Sequence, residues 1–155
     1  MTHTRFQIEA TRQCRRNFLK ILDQFSIDQL NHIPQGFNNN LIWNYGHIIV
    51  TQQLLCYRLA GMDTLVPDAI IDAYRKGTKP VGHVDEAAYN QLKEWAVSCL
   101  DTFEKDLAAD IFQTYKTYGT SFGLELSSIH DAIHFNNVHE SMHLGTAICL
   151  KNQLL

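Results

Sequence analysis

The sequence predicts an all-α fold, a four-helix bundle with a long crossover connection between its second and third helices. Three observations carry that expectation. Four long stretches repeat apolar residues at spacings of three and four, the period of an amphipathic helix. The chain has only three prolines and no clear hairpin signal, which disfavours a sandwich or barrel. Of its 155 residues, 45% are apolar, enough to bury a substantial core in one domain spanning residues 1–155.

The first helix is expected over Thr4–Gln24, with Phe6, Cys14, Phe18, Ile21, Leu22 and Phe25 supplying the apolar positions. Arg12, Arg15 and Arg16 are read as a solvated face of that helix. Ser26–Asn39 contains Pro34, Gly36 and the start of an asparagine run, which is loop chemistry, and Asn39 or Asn40 would cap the second helix. That helix is expected over Asn40–Ala60, stopping at Gly61.

The connection from Met62 to about Val84 holds Pro67, Gly77, Pro80 and Gly82, and Pro67–Arg75 reads as a short helix. Its length suits a bundle crossover or a lid beside a site. The third helix is expected over Glu86–Leu107, capped by Asp85, with Leu92, Trp95, Ala96, Cys99 and Phe103 as its stripe. Asp110–Gly123 reads as a loop or a short extended piece. The fourth helix is expected from Ser127 to Asn152, capped by Ser127 or Ser128.

The net charge of −3 and the lack of a basic patch argue against nucleic-acid and membrane partners. The N-terminal residues lack an apolar signal core, and no run approaches the roughly 20 apolar residues of a membrane span. A soluble, cytoplasmic protein is expected. Cys14, Cys56, Cys99 and Cys149 form no C-x-x-C pair and read as buried free thiols.

The chemistry-bearing feature is His139-Glu140-Ser141-Met142-His143. Histidines at i and i+4 lie about 40° apart around a helix axis, one above the other, as two ligands of one metal ion must. A second pair, His130 and His134, lies on the same helix but about 140–180° away from His139, so it cannot serve the same site. Ala132, Phe135, Asn136, Met142, Thr146, Ala147 and Leu150 share the face of His139, which makes that face the interior one. Two stacked imidazoles in an apolar core need partners that a metal ion satisfies together.

The string also fits the H-E-x-x-H of zinc proteases. Those sites take a further downstream ligand, yet the twelve residues after His143 contain no His, Glu or Asp. Glu140 falls about 100° from His139 and reads as a solvated helix residue. The third ligand is expected upstream. His47 is the best candidate, because Trp43, Val50, Thr51 and Leu54 put its face in the core of the second helix. His3, His32 and His83 lie near a terminus or in loops and are weaker candidates.

Trp43-Asn44-Tyr45-Gly46-His47 together with Phe135-Asn136-Asn137-Val138-His139-Glu140-Ser141-Met142-His143-Leu144-Gly145 resembles the DinB-like superfamily of small four-helix metalloproteins. The resemblance extends over nearly the whole chain through the helix order and the Gly61 stop. It implies a divalent metal held by His47, His139 and His143, with remaining positions open. It further implies kinship with metal-dependent thiol S-transferases and a thiol-dependent isomerase.

Three neutral histidines with an open position define a catalytic rather than a closed structural site. The expected activity is transfer of a small thiol to a small-molecule substrate, or a related metal-assisted hydrolysis. The competing class is a non-catalytic metal- or ligand-binding stress protein. Zinc or nickel is expected foremost, with iron or manganese as alternatives. Trp43, Asn44, Thr51, Phe135, Asn136 and Met142 are the candidate pocket residues. An open pocket beside the histidines favours an enzyme, whereas a site sealed by Trp43, Phe135 and Met142 favours a structural role. Ile133, Leu144 and Ile148 form a second apolar stripe on the last helix, a candidate homodimer face.

Overall fold

A computed structural model of the chain describes residues 3–154; Met1, Thr2 and Leu155 lie outside it, as does the side chain of His3. The fold is predominantly helical, and four helices dominate it: α1 (His3–Leu22), α3 (Leu41–Cys56), α5 (Glu86–Ala108) and α6 (Ile129–Asn152). Two short helices, α2 (Ile27–Asn31) and α4 (Asp68–Tyr74), lie in the connections, and a 3-10 turn, Arg58–Ala60, follows α3. Among the described residues no helix is long and apolar enough to cross a membrane.

Side-chain caps set the helix starts. Asn40 Oδ1 accepts from Trp43 N–H at 2.8 Å, Asp85 Oδ1 from Ala88 N–H at 2.8 Å, and Ser128 Oγ from Asp131 N–H at 3.1 Å. The expected loop Ser26–Asn39 is corrected by α2. There Ser26 and Gln29 form a reciprocal capping box, a local signal strong enough to start a helix inside loop-like composition. The short helix after Pro67 is present as α4. The second helix ends its α-helical run at Cys56, four residues earlier than expected, and tightens before Gly61, whose φ of +77° turns the chain away.

The expected loop or extended piece after α5 contains β1 (Tyr118–Gly119), which pairs antiparallel with β2 (Glu125–Leu126). Tyr118 faces Leu126 in the register, and Gly119 faces Glu125. The segment is tied to the end of α3 by Lys116 N–H on Leu59 O and Tyr115 Oη–H on Leu55 O.

Helix α6 packs on both α1 and α3, and α5 packs on the same two helices. Helix α3 is central: every residue from Leu41 to Cys56 is buried except Thr51 and Leu54. Phe18, Leu22, Ile48, Ile49, Leu92 and Leu150 form the middle of the core. Each contributes roughly 1.5–3 kcal/mol by leaving water. A second cluster, around Tyr57, Phe103, Leu126 and Phe135, lies beneath the hairpin.

Two expectations about the surface are corrected. Arg15 is buried, because α6 and α5 cover the side of α1 that carries it; Arg12 is half-buried against Asp101 and Glu104, and Arg16 alone of the three is exposed. Cys149 is exposed while Cys14, Cys56 and Cys99 are buried. In the second apolar stripe of α6, Ile133 is buried, Leu144 is half-buried against the core, and Ile148 is exposed.

Candidate metal centre

Helices α3 and α6 bring His47, His139 and His143 together, with one ligating atom from each lying within 4.8 Å of the others. Their ring centroids are 4.6–5.1 Å apart. His47 Nε2 and His139 Nε2 face each other at 3.2 Å.

The outer nitrogens fix the tautomers of two rings. His47 Nδ1 donates to Tyr74 O at 2.6 Å, so its Nε2 carries a lone pair. Asn44 spends both amide hydrogens on Asn39 Oδ1 and Asn40 O, each at 2.8 Å, which leaves Asn44 Oδ1 to accept from His143 Nδ1 at 2.8 Å. His143 Nε2 is therefore also a lone pair. This support of a ligand's far nitrogen is what holds imidazoles for a metal. His139 Nδ1 is buried and makes no hydrogen bond among the described residues.

All three rings are neutral at physiological pH. Desolvation pulls His139 down to about 2, helped by His143 and then His47. Desolvation and His47 pull His143 down to about 4. Burial also lowers His47, partly opposed by its bond to the Tyr74 carbonyl.

A divalent ion fits this donor set. Neutral imidazole is the ligating form, and nitrogens at about 2.0–2.1 Å from a tetrahedral ion stand about 3.3 Å apart, close to the gap between His47 and His139. Without a shared cation or proton, lone pairs at 3.2 Å repel in a site stripped of water.

The backbone explains how the site is held. Gly46 lies against the Tyr74 ring so closely that a β-carbon there would clash with it. Glycine thus lets α4 settle on α3 with its last carbonyl over His47. Trp43 stacks on His47 with centroids 4.7 Å apart and planes 11° from parallel.

A pocket of about 400 Å³ opens from the histidines to the surface. Thr51, Leu54, Phe135 and Met142 line it, with Arg58, Lys76, Ser121 and Phe122 exposed among its lining residues. The two residues of α3 that escape burial, Thr51 and Leu54, are both pocket walls. Thr51 Oγ1 lies 3.4 Å from His47 Nε2. The site is not sealed: Met142, expected on the interior face, is 43% exposed at the rim. Phe122, at the tip of the hairpin, meets the Phe135 ring edge-on at 5.5 Å.

Trp43 and Asn44 stand behind the ligands rather than in this pocket. Asn136 turns away from it and donates to Glu140 Oε1 at 2.9 Å. A larger cavity, about 890 Å³, lies on the far side of Trp43 under the crossover and touches none of the three histidines. No histidine lines it, so size does not make it the reactive site. His130 and His134 are exposed, as are His32 and His83, and none of these four joins the cluster.

Glu140 departs furthest from its expected place. It is fully buried, not solvated, and its carboxylate receives Arg15 Nη2 at 2.7 Å and Arg15 Nε at 3.1 Å. Arg15 Nη1 reaches Ala96 O at 2.9 Å. One ion pair therefore ties α1, α5 and α6 together, away from the metal pocket. Sequence reasoning also missed Tyr74, Arg58 and Lys76. Tyr74 acts through its backbone, for which the tight Gly46 beside His47 is the one local signal.

These features define a helical protein with a three-histidine centre at the foot of an open pocket. The DinB superfamily's sequence profile matches residues 10–147, and the chain belongs to that superfamily. The fold is similar to the crystal structure of a conserved protein from Enterococcus faecalis, at a TM-score of 0.69 and 14% identity over 99% of this chain and 98% of that one. No curated protein matches the sequence.

Proposed function

We propose that this protein is a divalent-metal-dependent enzyme that transfers a small thiol to an electrophilic carbon of a small-molecule substrate. The observation that carries the reading is the convergence of three neutral imidazoles on a solvent-open pocket whose lining contains no Asp or Glu. Its scaffold is read as a single four-helix bundle whose crossover carries α4.

His47, His139 and His143 hold the ion, zinc or nickel foremost and iron or manganese otherwise. A bound divalent ion supplies Lewis acidity that lowers the pKa of a thiol or water toward neutrality. Tyr74 and Asn44 keep two ligand nitrogens aimed inward. Leu54, Phe135 and Met142 give the reacting atoms apolar walls, and the Thr51 hydroxyl stands ready to orient the incoming group.

The lack of a carboxylate in the pocket favours thiol over water. A thiol begins at a pKa of about 8.5, whereas water begins near 15.7, so a pocket without a general base suits the more acidic nucleophile. In the transfer, the thiol sulfur bonds to the electrophilic carbon. The leaving group departs with its bonding pair, and the thiol proton passes to solvent. The chain's own buried thiols are poor nucleophiles, because desolvation pushes Cys14 and Cys99 up to about 11 and Cys56 to about 12.

The test is protein made without an affinity tag, its metal measured by elemental analysis, then assayed with several low-molecular-weight thiols and a halogenated aromatic acceptor. Turnover is expected to follow metal content and to vanish in His47→Ala/His143→Ala. Turnover that survives in that double variant refutes the site.

A further inference from the structure

We infer that the pocket selects substrates that carry a negative charge apart from their metal-binding group, and that Lys76 and Arg58 receive it. The inference rests on the proposed metal site and adds the substrate's chemical class. The chain as a whole is acidic, with sixteen Asp and Glu against thirteen Lys and Arg. Yet among the described residues the only charged ones lining the pocket are Arg58 and Lys76. The uncharged imidazoles cancel none of an ion's charge, so an ion and Lys76 would both be unopposed positive charges, with Arg58 offset by Asp68 at the surface. A cleft of one sign with apolar walls concentrates its field and draws in ligands of the other sign.

Placement supports the assignment. Lys76 follows two residues after Tyr74, whose carbonyl holds His47, so one turn of chain serves both a ligand and the pocket. Lys76 is exposed and makes no ion pair among the described residues. Arg58 lies three helical turns beyond His47. Its partner is Asp68, at 2.7 Å, in a pair whose side chains are 49% and 79% exposed. A pair so wet is weak, and a substrate anion can replace it. The rest of the lining is mainly apolar, with Leu54, Leu59, Phe135 and Met142 as walls and Thr51, Thr120 and Ser121 adding hydroxyls. The matching molecule has a reactive head for the metal, a hydrocarbon or aryl middle and a carboxylate or similar anion at its tail.

Cobalt(II)-loaded protein tests this, since thiol binding gives a sulfur-to-cobalt charge-transfer band. Mercaptohexanoate, mercaptohexanol and aminohexanethiol differ only at the tail. The carboxylate is expected to bind about ten-fold more tightly than the alcohol, with the amine weakest. Lys76→Gln/Arg58→Gln is expected to bring carboxylate and alcohol to within about two-fold of each other. Equal binding of the three probes, or a carboxylate preference that persists in the double variant, overturns the inference. Absence of the band with every probe instead refutes thiol binding at the metal. In that event calorimetry with phenylhexanoate against phenylhexanol, in the native protein and the double variant, decides the anion question: a preference lost in the variant supports the inference, and no preference overturns it.

Discussion

Replacing Glu140 by Gln separates a structural carboxylate from a catalytic one. The side chain is 0% exposed, and its partner Arg15 is 4% exposed at the side chain. Gln keeps the volume and an acceptor for Arg15 but removes the negative charge, leaving a guanidinium in the core with Ala96 O as its other acceptor. Stranding one member of a buried pair costs about 3–5 kcal/mol, a large share of a total stability of about 5–15 kcal/mol. With a urea slope of about 2 kcal/mol per molar, the unfolding midpoint is expected to fall by about 1.5–2.5 M. Arg15→Met/Glu140→Leu removes both charges and is expected to recover most of the loss, because two apolar groups in such a place are often neutral or better. Zinc content of folded Glu140→Gln is expected to match the native protein, since the carboxylate faces α1 and α5. The assay is urea denaturation followed by circular dichroism, run beside metal analysis. A midpoint within about 0.3 M of native, joined to lost turnover at full metal content, refutes the structural role and makes Glu140 a general base.

Asn44→Ala removes the acceptor for His143 Nδ1 and is expected to weaken zinc binding about 10–100-fold in chelator competition; unchanged affinity shows that Asn44 does not orient the ligand. The metal-stripped protein is expected to lose stability on acidification. Both His139 and His143 have folded values below the ordinary 6.5, so the unfolded chain takes up protons first. Their contribution is complete above pH 6.5 and drains as pH falls toward 4, where His143 titrates in the fold. Urea midpoints measured between about pH 7.5 and pH 4.5 check this, and a midpoint that rises on acidification refutes it.

The clustering of the three histidines was readable because its information is local. Spacing by four puts His139 and His143 on one helix face whatever surrounds it, and His47 sits in an apolar stretch that only a buried helix would carry. The caps at Asn40, Asp85 and Ser128 were readable for the same reason. The residues that escaped depend on their neighbours. Glu140 lies about 100° from His139, which on a helix with one packed side means solvent. Helix α6 is packed by α3 on one side and α1 on another, so that direction points into a second interface and at Arg15. Arg15 was misplaced by the same mistake seen from α1. Tyr74 was out of reach because a backbone carbonyl leaves no mark in composition.

The burial of Glu140 bears on the chemistry. In a zinc protease the Glu of H-E-x-x-H stands beside the metal as the base. Here the same residue type at the same spacing is locked to Arg15 and Asn136 outside the pocket, and among the described residues no acid lines the pocket. The helix thus keeps the two histidines of that motif and discards its base. What remains is a three-histidine cluster at a largely apolar pocket with two surface cations, Lys76 and Arg58. Under the proposed function a substrate would bring its own acidic proton to the metal, which a thiol does far more readily than water. If the tail of that substrate is anionic, the same missing carboxylates that bar base-assisted hydrolysis also remove what would repel it. One absence, of acids from the pocket, thereby argues for both the nucleophile and the shape of the molecule that carries it.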